Sequence, residues 1–202
     1  AHADADAVTG TAETPTGYTH RQILVILSGL LLGMFLAALD QTIVSTALPR
    51  ITDDLGGLDH LSWVVTSYLL ASTVSTPLYG KLGDLFGRKT LYQGAIVIFF
   101  VGGVCSGLAQ DMGQLIAARA VQGLGAGGLI VLAQALIADT VSPRERGRYM
   151  GYIGAVFGFS SVAGPLLGGF LTDNLSWRWV FYVNVPVAIA AFAVTGAVLP
   201  KG

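Results

Sequence analysis

The sequence has few charged residues. Lys, Arg, Asp and Glu together make up 11% of the 202 residues, whereas hydrophobic residues make up 53%. This supply of polar side chains is too small to cover the surface of a water-soluble domain of this size. The composition therefore predicts an integral membrane protein. The formal net charge of −1 gives no reason to expect a nucleic-acid partner.

Cysteine and histidine are also scarce, which excludes several kinds of site. Cys105 is the single cysteine, so we expect no disulfide, no metal site and no cofactor. The three histidines lie outside the predicted spans, so a serine in GFSS (158–161) would have no histidine base. GLGAGG (123–128) matches a dinucleotide-binding pattern, but no strand precedes it. We therefore do not expect an enzyme.

Six apolar stretches are long enough to form membrane-spanning helices. A hydrocarbon core of about 30 Å requires about 20 mostly apolar residues. The predicted helices cover approximately residues 23–48, 61–79, 90–109, 112–138, 149–171 and 179–199. The sequence therefore predicts an all-α integral membrane fold, with a six-helix transmembrane bundle over residues 22–202.

The first 21 residues have a different composition from the remainder. They are small, polar and rich in threonine, which predicts a disordered cytoplasmic tail over residues 1–21. We expect no cleavable signal peptide, because the first apolar run is too long and no small-residue cleavage site follows it. The absence of an initiator Met indicates processing or a fragment.

The basic residues predict the orientation of the bundle in the plasma membrane. Cytoplasmic loops carry an excess of Lys and Arg. With a cytoplasmic N-terminus, only Arg50 and Arg178 fall on the external side. The basic residues on the cytoplasmic side would be Arg21, Lys81, Arg88, Lys89, Arg144, Arg146, Arg148 and Lys201.

Two similar stretches predict an internal repeat. In GKLGDLFGRKT (80–90) we expect the glycines to form a tight reversal, and Asp84 stands four residues before Arg88, a spacing that favours an ion pair. GFLTDNLSWR (169–178) partly repeats this pattern on the opposite side of the membrane. Inverted repeats of three helices are typical of secondary transporters. We therefore predict two inverted three-helix repeats.

Asp40 lies within the first apolar stretch, in FLAALDQTIVSTALP (35–49). An ionised carboxylate at the centre of a membrane helix costs about 2.5 to 3.5 kcal/mol on insertion scales, so it normally faces the bundle interior or a watery cavity. The alternative is that Asp40 lies near the external interface. Residues at four-residue steps form a small-to-polar face beside Asp40, which could pack on another helix: Gly29, Gly33, Ala37, Gln41 and Ser45.

Arg119 is the second charge predicted within a span. It begins a stripe with Gly123 and Gly127, at which a neighbouring backbone could approach closely, and Gln122 flanks it. The alternative is that Arg119 snorkels to the outer interface, because it lies only seven residues into its span. The sequence does not determine whether Asp40 and Arg119 touch.

Several stretches resemble signatures of the major facilitator superfamily, and in particular of its fourteen-helix drug:proton antiporters. The resemblance covers nearly everything after the tail. One departure is Ser160, where a glycine is expected, and another is the length, because such transporters carry a second bundle. The matching stretches are GKLGDLFGRKT (80–90), LDQTIVSTALP (39–49), LIAARAVQGLGAGG (115–128), GPLLGGFL (164–171) and WRWVFYVNVPVAI (177–189).

The resemblance implies roles for the charged residues. Asp40 would be the proton-coupling site, and its removal from water should let it exchange protons near neutral pH. Arg119 would bias a nearby acid by its charge. Asp84 would steady the outward-facing form through a helix of the second bundle. The candidate conformational-switch loop comprises Gly80, Asp84, Gly87, Arg88, Lys89 and Asp139. The alternative is that its charged residues form a solvated positive-inside patch.

Polar and glycine residues complete the candidate site. Gln41 and Gln122 are candidates to line a substrate cavity. In the fifth helix, Pro165 leaves the carbonyl of Ser161 without its usual partner, which favours a bend. The resemblance associates this segment with antiport, and ordinary glycine packing is the alternative. The motif residues are Gly164, Pro165, Gly168 and Gly169.

Together these features imply the N-terminal six-helix part of a proton-driven exporter of drugs or other small amphipathic molecules. Its expected partners are protons, the substrate, the lipid bilayer, and either a missing C-terminal bundle or a second chain. Two alternatives stay open. The chain could be a half-size, non-transporting membrane partner or assembly protein, or it could belong to an exporter of an endogenous metabolite.

Overall fold

The computed structural model describes residues 20–198, and all regular secondary structure in that range is helical. The predicted tail lies almost wholly outside the described residues, as does Lys201. A short 3₁₀-helix, Leu58–His60, follows the first helix. The α-helices are α1 (His20–Leu55), α2 (Ser62–Phe86), α3 (Arg88–Leu108), α4 (Met112–Thr140), α5 (Arg146–Asn174), α6 (Trp179–Tyr182) and α7 (Asn184–Val198).

Five segments of the described residues are long and apolar enough to cross a membrane. They are Arg21–Leu55, Arg88–Leu108, Met112–Thr140, Arg146–Asn174 and Trp179–Ala197. The predicted second span, 61–79, is not among them, because the helix there, α2, carries many hydroxyl side chains. Those hydroxyls bond within the helix: Thr73 donates to the Leu69 carbonyl at 2.8 Å and Thr76 to the Ser72 carbonyl at 2.7 Å. Because these hydroxyl groups are hydrogen-bonded, α2 can pack as a long helix of the bundle despite its polar side chains.

Two helices extend beyond their predicted ends. α1 continues through Pro49, and α2 continues into the GKLGDLFGRKT stretch. The prediction that Gly80 and Gly83 form part of a reversal is therefore wrong. A helix keeps its backbone groups paired as it leaves the apolar layer, so it need not end where the apolar run ends. Only Gly87, with a φ of 95°, separates α2 from α3, and this conformation is readily adopted by glycine alone.

The sixth predicted span is divided into α6 and α7. Pro186 has no N–H and cannot bond to the carbonyl of Tyr182, the last residue of α6. Val183, between the two helices, keeps helical backbone angles of −62° and −24°. The break therefore falls where proline removes a donor, and the segment continues as α7.

α4 packs closely against both α2 and α3 through its glycines. A Cβ atom at Gly123 would overlap the carbonyl oxygen of Tyr68 in α2. One at Gly125 would lie 2.5 Å from the backbone nitrogen of Phe99 in α3. Because side chains would prevent this approach, small residues are needed here. The GLGAGG stretch is thus a helix-packing surface.

The helices form two three-helix units of opposite direction, as predicted. The turn between α2 and α3 lies beside the C-terminal end of α4, where Arg88 pairs with Asp139. The turn after α5 lies beside the C-terminal part of α1, where Arg50 contacts Asp173. The unit α1 to α3 and the unit α4 to α7 therefore present corresponding turns at opposite ends of the bundle.

Candidate functional site

Asp40 lies near the middle of α1 and is completely buried. Its carboxylate contacts side chains from two other helices. Oδ2 accepts a hydrogen bond from Nη1 of Arg119, with which it forms an ion pair. Oδ1 accepts bonds from Nε2 of Gln122 at 3.1 Å and from Nδ2 of Asn184 at 3.3 Å. Asp40 therefore faces the interior of the bundle.

Arg119 is buried beside Asp40, with 1% of its side chain exposed. Besides the carboxylate, Nη1 reaches Oε1 of Gln122 at 2.8 Å, and Nε donates to the Val64 carbonyl at 3.1 Å. The guanidinium carbon lies 4.2 Å from the centre of the Tyr68 ring, a distance suited to a cation–π contact. These contacts exclude the alternative that Arg119 snorkels to the interface.

The backbone of α4 explains how these groups meet. Arg119 and Gln122 are three residues apart on the helix and therefore share a face. One turn further on, Gly123 lets the α2 backbone approach at Tyr68. Val64 lies one turn before Tyr68 on α2, so the same approach brings its carbonyl to the guanidinium. The predicted stripe of Arg119, Gly123 and Gly127 is thus the surface of α4 on which α2 packs.

Asn184 belongs to this network and was not predicted. It is 2% exposed and begins α7, and its Nδ2 is bonded to Asp40. Its other amide atom, Oδ1, is buried without a hydrogen-bond partner. A signal was present in the sequence, because Asn184 is the only amide in the otherwise apolar stretch WVFYVNVPVAI (179–189). Such an isolated polar group in a span is a candidate functional residue.

The four side chains of Asp40, Arg119, Gln122 and Asn184 form what we call the midspan network. It contains one negative and one positive charge in surroundings of low polarity, where removing either charge leaves the other uncompensated. No group of three or more metal-ligating side chains occurs within residues 20–198. Asp40 and Arg119 are the charged members of this network.

The second predicted cavity residue, Gln41, lies outside the midspan network. Its side chain is half-buried, and Ser45, one turn later, is exposed. The predicted stripe along α1 therefore has a packed part and a more accessible part. Gly29, Gly33 and Ala37 face packed helices: a Cβ at Gly29 would lie 3.0 Å from the Thr195 methyl carbon of α7, and one at Gly33 would overlap the Tyr92 hydroxyl of α3. Gln41 thus remains a candidate to face a cavity.

The end of the bundle that carries Arg88, here called the Arg88 end, holds the predicted loop residues. Arg88 pairs with Asp139 of α4 and, at 3.2 Å, with Asp84 of α2. Lys89 donates to the carbonyl of Gly196 in α7 at 3.2 Å. Gly80 has open space beside it and makes no close packing contact. The structure thus joins three of the four charged loop residues to one another, and attaches the fourth to α7.

The opposite end, here called the Arg50 end, holds the second copy of the loop pattern. Arg178 does not pair with Asp173 as the repeat would suggest. It donates to the carbonyls of Gly107 and Ala109 at 2.8 and 2.6 Å, at the end of α3. Asp173 instead lies 3.7 Å from Arg50. The corresponding positions therefore bridge between the two three-helix units at both ends, although with different partners.

The glycine motif of α5 packs on α1 at two positions. A Cβ at Gly164 would overlap Thr42, and one at Gly168 would lie 2.9 Å from the Ile43 carbonyl oxygen. Gly169 has open space beside it, so it takes no part in this contact. Pro165 lies within the continuous helix Arg146–Asn174. The motif therefore fixes the α1 helix, and hence the position of Asp40, against α5.

Comparisons with known proteins agree with this architecture. The sequence profile described as Major Facilitator Superfamily matches residues 30–201. An uncharacterised MFS-type transporter of Mycobacterium tuberculosis is 52% identical over 176 residues, which is 87% of this chain and 26% of that protein. Multidrug resistance protein 3 of Bacillus subtilis is 48% identical over 162 residues, which is 80% of this chain and 32% of that protein. The chain thus spans about a third or less of the length of these relatives.

Solved structures show the same fold at low sequence identity. A crystal structure of a D-xylose-proton symporter matches with a TM-score of 0.78 and 20% identity, over 89% of this chain and 48% of that one. A proton:xylose symporter bound to 6-bromo-6-deoxy-D-glucose matches with a TM-score of 0.80 and 19% identity, over 90% of this chain and 46% of that one. Sequence, helix arrangement and these matches agree that the chain belongs to the major facilitator superfamily.

Proposed function

We propose that the chain forms the proton-coupling bundle of an exporter that carries small amphipathic molecules out of the cell. The supporting observation is the ion pair of Asp40 and Arg119, completely buried within predicted spans and bonded to two further polar side chains. A buried pair of this kind is weak evidence for a purely stabilising role, because apolar residues of similar volume often stabilise as well or better. Its retention in an apolar bundle favours a functional role.

In the proposed cycle, Asp40 alternates between the ionised and the neutral acid. When Asp40 is ionised, its charge and that of Arg119 compensate each other. A proton arriving at Asp40 leaves the guanidinium without a counter-ion, in contact with Gln122, the Val64 carbonyl and the Tyr68 and Phe181 rings. The resulting positive charge would disfavour a bound cationic cargo. Proton uptake would therefore promote cargo release, and release of the proton would restore the pair.

The Arg88 end would control which face of the transporter is open. Arg88 links α2 and α3 to Asp139 of α4 through exposed ion pairs that can break and re-form. Gly80, Gly87 and Lys89 belong to the same proposed switch, and Asp84 would also contact a second bundle. We place this end in the cytoplasm of a plasma-membrane protein, because most of the basic residues outside the spans lie there.

A second candidate function differs from the first in the exported cargo, which would be an endogenous metabolite instead of a drug. Multidrug resistance protein 3 and the multidrug transporter protein MdtP, both of Bacillus subtilis, favour drugs as cargo. An Acurin A biosynthesis cluster MFS-type transporter of Aspergillus aculeatus, 49% identical over 154 residues, favours export of a metabolite. We propose that Gln41, a half-buried polar residue of α1, lines the cavity for either cargo.

The full natural polypeptide, reconstituted in liposomes, tests the proposal. An imposed pH gradient should drive movement of a fluorescent lipophilic cation against its concentration gradient, and cargo movement should in turn displace protons. Asp40→Asn should abolish the dependence on the pH gradient, because an amide does not exchange protons in this way. Asp53→Asn is the matched control, since Asp53 lies on the same helix but is exposed.

Each outcome decides between the candidates. Gradient-driven transport that is unchanged in Asp40→Asn would remove Asp40 from the mechanism. Transport of metabolite extracts but not of lipophilic cations would favour the metabolite exporter. If the natural polypeptide transports neither cargo and displaces no protons, the alternative of a non-transporting membrane partner would replace the proposal.

A further inference from the structure

We infer that Asn184 is a positioning residue whose amide turns over when Asp40 takes up a proton. In the ionised state its Nδ2 faces the carboxylate, and in the neutral state its Oδ1 would face the new hydroxyl. The inference rests on the proposed function, because it requires that Asp40 exchanges a proton.

The surroundings of Asp40 suit the carboxylate and not the acid. All three neighbouring side chains donate to it: Arg119 to Oδ2, and Gln122 and Asn184 to Oδ1. A proton that binds to Oδ1 forms an O–H group, which needs an acceptor. A buried hydroxyl without an acceptor costs about 1 to 3 kcal/mol on scales from protein mutants. Proton uptake therefore requires one of the donors to be replaced by an acceptor.

Two side-chain amides could supply the acceptor, and their bonds distinguish them. Oε1 of Gln122 already accepts a bond from Arg119 at 2.8 Å. Turning that amide would direct its NH₂ group at the guanidinium, so two donors would face each other. Oδ1 of Asn184 is buried without a partner. Turning the Asn184 amide would replace its bond to Asp40 with the new bond, and would move the NH₂ group into the position now held by the unpartnered Oδ1 without breaking a bond to any third residue.

The other groups near Asp40 are not placed to accept a hydrogen bond from its protonated form. The charged or titratable groups that interact with Asp40 are Arg119 of α4 and, by charge alone, Tyr68 of α2. The Tyr68 hydroxyl donates to the Ala37 carbonyl at 3.3 Å. α5 meets α1 nearby through the neutral bond from the Thr42 hydroxyl to the Ser160 carbonyl, at 3.1 Å.

The turn requires only a local motion. The side-chain torsion that carries an Asn amide has a broad preference, so a half-turn needs no change in the backbone. Because Asn184 is the first residue of α7, just after the break at Val183, the turn would change how Asp40 is bonded to the sixth span. Protonation would thereby be felt by a helix other than α1 and α4.

Infrared difference spectroscopy of the full natural polypeptide in lipid tests the inference. The protein is labelled with ¹³C at the asparagine side-chain carbonyl, and spectra at acidic and neutral pH are subtracted. Within residues 1–202 the label falls on two side chains, Asn174 and Asn184. The expected result is that a protonated carboxyl band from Asp40 and a shifted amide band from Asn184 rise together over the same pH range.

Two variants assign the bands. Asn184→Leu should remove the labelled amide change and move the Asp40 carboxyl band to higher frequency, because its hydroxyl loses the acceptor. Asn174→Gln is the matched control, since the exposed Asn174 only donates to the Phe170 carbonyl of its own helix, and it should leave both bands unchanged. If Asn184→Leu fails to fold, Asn184→Gln assigns the labelled band instead, because it keeps an amide at this position and removes the labelled asparagine.

The outcomes separate this inference from the proposed function. A carboxyl band that depends on Asp40, without any labelled amide change, would overturn the role of Asn184 and leave proton exchange intact. The absence of that carboxyl band at every pH at which the protein stays folded would overturn both. An amide change that persists in Asn184→Leu would also contradict the inference, because it would come from another asparagine.

Discussion

The middle of the bundle and its two ends hold ion pairs of very different character. At midspan, Asp40 and Arg119 are 0% and 1% exposed, and further polar groups complete their hydrogen bonds. At the Arg88 end, the side chains of Arg88 and Asp139 are 31% and 58% exposed. At the Arg50 end, Arg50 and Asp173 are 58% and 70% exposed. The same chemical pairing thus occurs at three degrees of access to water.

This difference indicates what each pair can do. Water screens an exposed pair and solvates either partner when the pair breaks, so such a contact can open and close during a conformational change at little cost. The Asp40–Arg119 pair is enclosed by protein, so separating its charges would leave each of them without solvation. The exposed pairs at the ends can therefore break and re-form at little cost, whereas the buried pair is costly to separate.

The largest effect should follow from breaking the midspan pair on one side. Arg119→Leu leaves the Asp40 carboxylate buried without a counter-ion, which should lower the free energy of unfolding by about 3 to 5 kcal/mol near neutral pH. Thermal unfolding of the detergent-solubilised protein measures this loss. Removing both charges in Asp40→Leu with Arg119→Leu should recover much of it. If the double variant lost as much stability as the single variants Asp40→Leu and Arg119→Leu added together, this view of the pair would be contradicted.

A smaller but clear loss should follow from filling the helix contact beside the network. Gly125→Ala places a methyl group 2.5 Å from the Phe99 backbone nitrogen, which should destabilise by about 1 to 3 kcal/mol through overpacking. Gly94→Ala is the matched control, because it has open space and a helix favours alanine over glycine. Equal unfolding temperatures for the two variants would show that the close contact of α3 and α4 is unimportant.

Breaking the pair at the Arg88 end should have a modest effect. Arg88→Gln should destabilise by about 0.2 to 1 kcal/mol, because both partners keep access to water. A double-mutant cycle with Asp139→Asn isolates the interaction, which should weaken as salt is added. A coupling energy as large as that of the midspan pair, or one insensitive to salt, would remove the distinction between middle and end.

The smallest effect is expected at the Arg50 end. Arg50→Gln should change the free energy of unfolding by about 0.5 kcal/mol or less, because Arg50 and Asp173 are 3.7 Å apart and largely exposed. Chemical denaturation compared with Arg88→Gln provides the measurement. If Arg50→Gln proved the more damaging of the two, exposure would not explain the order of these pairs.

Much of the architecture could be predicted from the sequence, and the predictions that were wrong failed for physical reasons. Apolar runs located the spans, but they placed the end of α2 too early, because a helix can continue after its apolar residues end. They also did not show the break before Asn184, which depends on one missing donor at Pro186. At the site, the charges of Asp40 and Arg119 stand out within apolar helices. Asn184 is uncharged and lies within the motif WRWVFYVNVPVAI (177–189), so its signal in the sequence is weaker.

The sequence by itself determined the membrane class, five of the six predicted spans and the two charges within them, because hydrophobicity and charge are properties of each residue wherever it lies. Only the tertiary structure decided that Asp40, Arg119, Gln122 and Asn184 meet, and that Gly169 of the α5 motif faces open space while Gly164 packs. Such contacts join residues 79 to 144 positions apart. They depend on how close neighbouring helices approach and on how each is rotated, which are set by the packing of the whole bundle and not by any local pattern.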